Sequence, residues 1–86
     1  MFNIKNQEDI DLFLQAVDDC KNDVYLLSIY GDRFSLKSVI SRYVGIGQLL
    51  SKYGEDLELF TSNKDDEVIM LNCLSKLHQR HEDNPE

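Results

Sequence analysis

Residues 34–47 read FSLKSVISRYVGIG, and within them Lys37, Ser38 and Arg42 are the residue types that handle phosphate. A serine between two cations at a helix start can cap the helix, face a bound anion, or accept a phosphoryl group. The plain role is the cap, with Ser38 Oγ accepting a bond from a helix N–H; losing such a bond to alanine costs ~1 kcal/mol. Ser35 can take that role if the helix begins earlier. Other chemistry is sparse. There is no Gly-x-Ser-x-Gly, and no nucleophile–base pair can be placed with His78 or His81. Two histidines three residues apart, without a supporting carboxylate geometry, read as surface residues, so no metal site is expected. Asp18-Asp19 and Asp65-Asp66-Glu67 could attract a cation, but they fall at helix ends, where negative charge serves the helix or solvation. The GIG segment is too short for a dinucleotide fingerprint. The four tyrosines are not spaced as a stacking platform. No catalytic residue and no cofactor is expected.

The elements that position these residues follow from periodicity. MFNIK alternates apolar and polar residues and reads as a first strand. In NQEDIDLFLQAVDDCK the period changes: Ile10, Phe13, Leu14 and Val17 fall at helical spacing, Asn6 is an N-cap candidate, and Glu8 and Asp9 sit in the first turn. DVYLLSIYGDRFSLK reads as a hairpin about Gly31-Asp32, which pairs Ile29 with Phe34 and Leu27 with Leu36 on one apolar face. SVISRYVGIGQLLSKYG is helical, with a stripe of Val39, Ile40, Tyr43, Ile46, Leu50 and Tyr53. Gly45 and Gly47 mark either a break or a close approach of another backbone. EDLELFTS alternates as a strand. NKDDEVIMLNCLSKLHQ is a last helix, capped by Asn63 or Asp65 and buried along Met70, Leu71, Leu74 and Leu77. RHEDNPE has no apolar residue and reads as a frayed tail.

The expected fold class is α+β, ordered β-α-β-β-α-β-α: an open-faced sandwich with a four-stranded, mostly antiparallel sheet and three helices on one face. Residues 1–80 form one domain and residues 81–86 a polar tail. The chain has 86 residues, 42% hydrophobic and 29% charged, as expected for one small globular domain. Its net charge of −7 argues against nucleic acid as a partner. No apolar run approaches the ~20 residues of a membrane span. The N-terminus lacks a basic start followed by a long apolar core, so a cytoplasmic location is expected. Cys20 and Cys73 then read as free thiols within helices. Charge is uneven: residues 24–54 carry four basic side chains against one acidic, a net of +3, while the rest carries −10. That basic island is a candidate contact surface, the alternative being four solvated cations.

The element order, with LKSVI, GEDLELFTS and DDEVIMLNCLSKL, resembles the histidine-containing phosphocarrier protein (HPr) family of the bacterial sugar phosphotransferase system. The likeness is best over residues 36–77, about half the chain. In that family a Lys-Ser-Ile/Leu segment opens the second helix, a Gly precedes the fourth strand and an Asp-Glu pair opens the last helix. The second helix is several residues longer here. The family's carrier histidine stands in a Gly-x-His-Ala-Arg-Pro setting at the first helix. The corresponding KNQEDIDLF has no histidine, arginine or proline, and it places Glu8, Asp9 and Asp11 where a phosphate would sit. His78 and His81 lie at the far end of the chain and cannot replace it.

The resemblance therefore implies a bacterial, non-catalytic, HPr-like protein-binding or regulatory domain that is not a histidine phosphocarrier. It implies that Ser38 corresponds to the family's regulatory serine, a candidate phosphosite whose modified surface binds a transcription regulator. Partner-binding candidates are Arg33, Lys37, Arg42 and Tyr43, and the expected partner is another protein with an acidic patch. Two rivals stand beside this reading: a regulatory protein switched by phosphorylation at Ser38, and a small-ligand binder using an acidic site.

Overall fold

The computed structural model describes residues 2–51 and 54–82. Its elements run α1 (Gln7–Asp19), β1 (Val24–Leu27), β2 (Arg33–Ser35), α2 (Val39–Leu50), one 3-10 turn (Gly54–Asp56), β3 (Glu58–Thr61) and α3 (Lys64–Glu82). The fold is α+β, with three helices and a three-stranded antiparallel sheet in the order β2-β1-β3.

The fourth strand expected from MFNIK is absent among the described residues; Met1 lies outside them. Residues 2–5 are irregular because their groups are used otherwise. Phe2 is buried edge-on against Phe13, with ring centroids 6.3 Å apart. Asn3 takes a positive φ of 59°, which an extended strand does not allow. The Lys5 N–H donates to Asp9 Oδ2 at 2.9 Å.

The hairpin forms in a different register from the expected one. Leu26 pairs with Phe34 and Leu27 with Arg33, so the connection is the five residues 28–32. Ser28 organises this loop: its Oγ accepts from the Tyr30 and Asp32 N–H groups, and Gly31 supplies the positive φ. An odd shift of register turns β1 over relative to β2. Val24 and Leu26, both fully buried, thus face the core, and Ile29 is left exposed in the loop. Burying Val24 and Leu26 rather than Leu27 and Ile29 keeps the core contiguous with Leu36, whose N–H extends the ladder to the Val24 carbonyl.

All three helices contribute to one core with the Leu26 face of the sheet: Phe13 and Val17 from α1, Ile46 and Leu49 from α2, Met70 and Leu77 from α3. The other face carries Tyr25 stacked on Phe60, with Arg33 over the Tyr25 ring. Gly45 explains how α2 settles on the sheet. A Cβ there would lie 3.2 Å from Leu36, 3.3 Å from Phe34 and 3.4 Å from Leu26. The helix is unbroken at this glycine, and what comes close is not another backbone, as expected of the alternative, but side chains of the sheet and of Leu36.

The resulting face of α2 differs from the expected stripe. Ile46, Leu49 and Gly45 point inward, while Val39, Ile40 and Tyr43 point outward. Tyr53 lies outside the described residues. Cys20 is not within a helix; it is the residue that ends α1. In α3, Met70 and Leu77 are buried as expected, but Leu71 is exposed. The helix continues through Arg80 and His81 to Glu82, so the expected fraying does not begin at Arg80; residues 83–86 lie outside the described set.

Two of the three expected helix caps are made. Asn6 Oδ1 accepts from the Asp9 N–H at 2.9 Å, and Asn63 Oδ1 from the Asp66 N–H at 2.8 Å. Ser38 holds the N-cap position of α2, yet its hydroxyl makes no capping bond. The turn into α2 is held by Ser35 instead, whose Oγ accepts from the Lys37 N–H and donates to Asp23 Oδ1. Accordingly, Asn6→Ala and Asn63→Ala should each lower the urea-unfolding free energy by about 1 kcal/mol. Ser38→Ala should lower it by less than about 0.5 kcal/mol, the range of a surface change that breaks no named interaction.

Candidate functional site

The Lys-Ser corner lies against the C-terminal end of α1, and its cations are already engaged. Lys37 Nζ donates to the Cys20 carbonyl, a cation set at a helix C-terminus where the dipole favours it. Arg42 Nε donates to the Leu36 carbonyl at 2.8 Å, and its Nη2 meets Asp18 Oδ1 at 2.5 Å. Arg33 is on the other face of the sheet, 3.8 Å from the Tyr25 ring centroid. The structure thus brings Lys37, Ser38 and Arg42 together and sets Arg33 apart. Lys52, the fourth cation of the basic island, lies outside the described residues. Ser38 is exposed at the α2 start.

Two buried carboxylates form the strongest electrostatic features, and sequence reasoning missed both. Asp66 accepts the Lys21 and Asn22 N–H groups at 3.0 and 2.9 Å. These bonds, the Lys21 N–H foremost, hold its carboxyl below the ordinary carboxylate range despite burial. Asp9, fully buried, accepts from the Lys5 N–H and lies 3.0 Å from Arg80 Nε and 2.7 Å from His81 Nε2. Burial pushes the Asp9 carboxyl up, and the Lys5 N–H, His81 and Arg80 more than offset it, so the net direction is downward. His81 is therefore no simple surface residue, whereas His78 is exposed beside Glu82. The one available signal was an acidic residue three places after each capping asparagine, Asp9 after Asn6 and Asp66 after Asn63.

Cys20 and Cys73 are free and buried, and burial pushes both thiols up, away from the reactive thiolate. Among the described residues, no group of three or more His, Cys, Asp or Glu is placed to hold a metal ion. No helix among them is long and apolar enough to cross a membrane. A groove of about 390 Å³ runs between β3 and α3, lined by Leu59, Met70, Leu71 and Leu74 and also by the polar Thr61, Asn63, Lys64 and Glu67.

The most unusual surface is the outer side of α2. Val39, Ile40, Tyr43, Val44 and Leu50 recur at helical spacing, and the adjoining loop adds Ile29 and Tyr30. These seven large apolar side chains are between 49% and 78% exposed. Tyr43, a candidate contact residue, sits in the middle of this patch. Its neighbours there are aliphatic, while the candidate cations Lys37 and Arg42 bond to the α1 end. A helix apolar on all sides is ordinarily covered on all sides. Comparison with protein-family models, with curated proteins and with solved structures returns no match.

The two lowered carboxyls give stability a pH dependence of definite sign. Both groups titrate below their ordinary value of 3.8, so the unfolded chain binds more protons in that range. The stabilisation is present above that value and is lost as pH falls through the lowered folded values. Thermal unfolding should show a Tm that is flat at neutral pH and falls steeply in the acid range. Asp66→Asn should lower the Tm at pH 7 and flatten the acid slope, because its amide cannot accept both backbone donors on two carboxylate oxygens.

Proposed function

We propose that this chain is a non-catalytic protein-binding domain of HPr-like layout whose contact surface is the outer face of α2, centred on Tyr43. The observation that carries the reading is the seven exposed apolar side chains on α2 and its adjoining loop. An apolar patch of several hundred Å² on a small domain marks an interaction site more often than chance exposure. The bonds of Lys37 and Arg42 to the end of α1 support an apolar contact over an acidic one, because they hold both cations toward α1 and away from the Tyr43 side. The order of elements is compatible with the HPr-like layout, and β3 pairs only with β1 among the described residues, which leaves its outer edge open to a fourth strand. A photo-crosslinking amino acid placed at position 43 should form protein adducts that vanish on adding Ile40→Glu. The same probe at Gln15, exposed on α1, should form few. Equal adducts from both positions, or none from position 43, would overturn the reading.

A second reading rests on Ser38 itself. Its side chain is exposed at the start of α2 and is not spent on a cap, so it is accessible to a kinase. A phosphate there adds nearly two negative charges at the positive end of the helix, beside the outer apolar face. Incubation with an HPr-type kinase and ATP should add one phosphate by mass spectrometry, and none to Ser38→Ala. An unchanged mass, or a shift retained in Ser38→Ala, rejects it.

A further inference from the structure

We infer that the partner seated on the outer face of α2 is a second copy of this chain, in a two-fold dimer with the two α2 helices packed antiparallel; this rests on the reading of that face as the contact surface.

Three observations support it. The first concerns charge. A two-fold interface brings each patch against itself, so any charge in it meets its own sign. The chain carries a net charge of −7, yet the outer positions of α2 are Val39, Ile40, Tyr43, Val44, Gly47 and Leu50, with no ionisable carboxylate or ammonium among them. The single charged residue of α2, Arg42, is half-buried and turned to Asp18 and the Leu36 carbonyl. Two copies can therefore meet along α2 without setting like charges directly against one another, and salt screens the remaining repulsion between the two acidic chains.

The second is shape. Ile40 and Tyr43 put bulk on the N-terminal half of the outer face, and Gly47 leaves a gap on the C-terminal half. A Cβ at Gly47 would meet nothing within 4 Å. Among the described residues no contact thus requires a glycine at this helix-interior position, where it weakens the helix. An antiparallel two-fold sets the Ile40–Tyr43 bulk of one helix over the Gly47 gap of the other, twice. One helix carries both the knob and the hole, the complementarity that a self-pairing surface requires.

The third is area. At roughly 100 Å² of exposed surface each, the five large apolar side chains of α2 let two copies bury about 1,000 Å² in total, the lower bound of a specific interface and the size of a weak, reversible one.

Sedimentation equilibrium on the full chain, from about 1 to 500 µM, tests this across the range of a micromolar dimer. The expected result is a mass rising from one chain of 10.0 kDa to two. Ile40→Glu and Tyr43→Glu should each remain monomeric throughout while keeping the wild-type circular dichroism. Gly47→Leu, which fills the gap without touching the monomer's core, should weaken the dimer at least tenfold. A wild-type chain that stays monomeric at every concentration overturns the inference, as does a dimer that survives both Ile40→Glu and Gly47→Leu. If the monomeric chain still forms adducts with another protein from position 43, self-pairing alone has failed. If position 43 forms no protein adducts of either kind, the contact-surface reading has failed with it.

Discussion

The carboxylate of Asp66 is the constraint on which the rest of the architecture depends. It sits at the start of α3 and accepts the two N–H groups that follow the end of α1, so one side chain fixes how the two helices meet and where the chain leaves for β1. A buried carboxylate costs heavily unless its oxygens are bonded, and here both are. The neighbourhood is tied to the same point. The Cys20 thiol leans on the Asp66 carbonyl, Lys37 donates to the Cys20 carbonyl, and Arg42 bridges from Leu36 to Asp18. Asp9 does the corresponding work at the opposite end, joining the start of α1 to Arg80 and His81 at the end of α3. The antiparallel α1–α3 pair is thus clamped at both ends by carboxylates, with Phe13, Val17, Met70 and Leu77 packed between.

This clamping divides the molecule into unlike halves. The α1–α3 pair shares a core stripe and is closed by charge. The second helix has no such partner; it rests on β2 and the 3-10 turn through Gly45, Ile46 and Leu49. The cations that a local reading gives to a partner surface belong to the first half. Lys37 and Arg42 are how the start of α2 is fastened to the end of α1, as expected where a cation can reach helix-end carbonyls. What α2 presents outward is therefore hydrocarbon, and the exposed chemistry of the site is that of Tyr43, not of Arg42.

The parts legible in the sequence were those set by local rules. Helix starts at Asn6 and Asn63 follow from capping, and the buried positions Phe13, Val17, Met70 and Leu77 from period. The parts missed depend on distance along the chain. Asp66 and Lys21 are 45 residues apart and Asp9 and His81 are 72 apart, so no spacing rule links them, and an acidic residue in a first helical turn already has an adequate local explanation. The hairpin failed for a subtler reason. Gly31-Asp32 is a good two-residue turn in isolation, but that register would expose Val24 and Leu26, and tertiary burial outweighs turn preference. The first strand failed similarly, since alternation in MFNIK cannot anticipate that Asp9 takes the Lys5 N–H and the core takes Phe2.

The outward face of α2 shows how far periodicity can carry and where it stops. A stripe identifies the buried side of a helix only when the other side is polar. On α2 both sides are apolar, so the pattern holds two valid answers: Gly45-Ile46-Leu49 and Val39-Ile40-Tyr43. Close packing decides between them. The sheet comes so close to the helix that the side chains of Leu36, Phe34 and Leu26 crowd the space around the missing Cβ of Gly45, and a glycine there packs without displacing them. Gly47 lies on the other side, two residues on, and has open space around it. The two glycines are thus not equivalent. The first is spent on the chain's own core, which forces the Tyr43 side outward. The second meets no atom of the described residues, so the space beside it on the Tyr43 side is open.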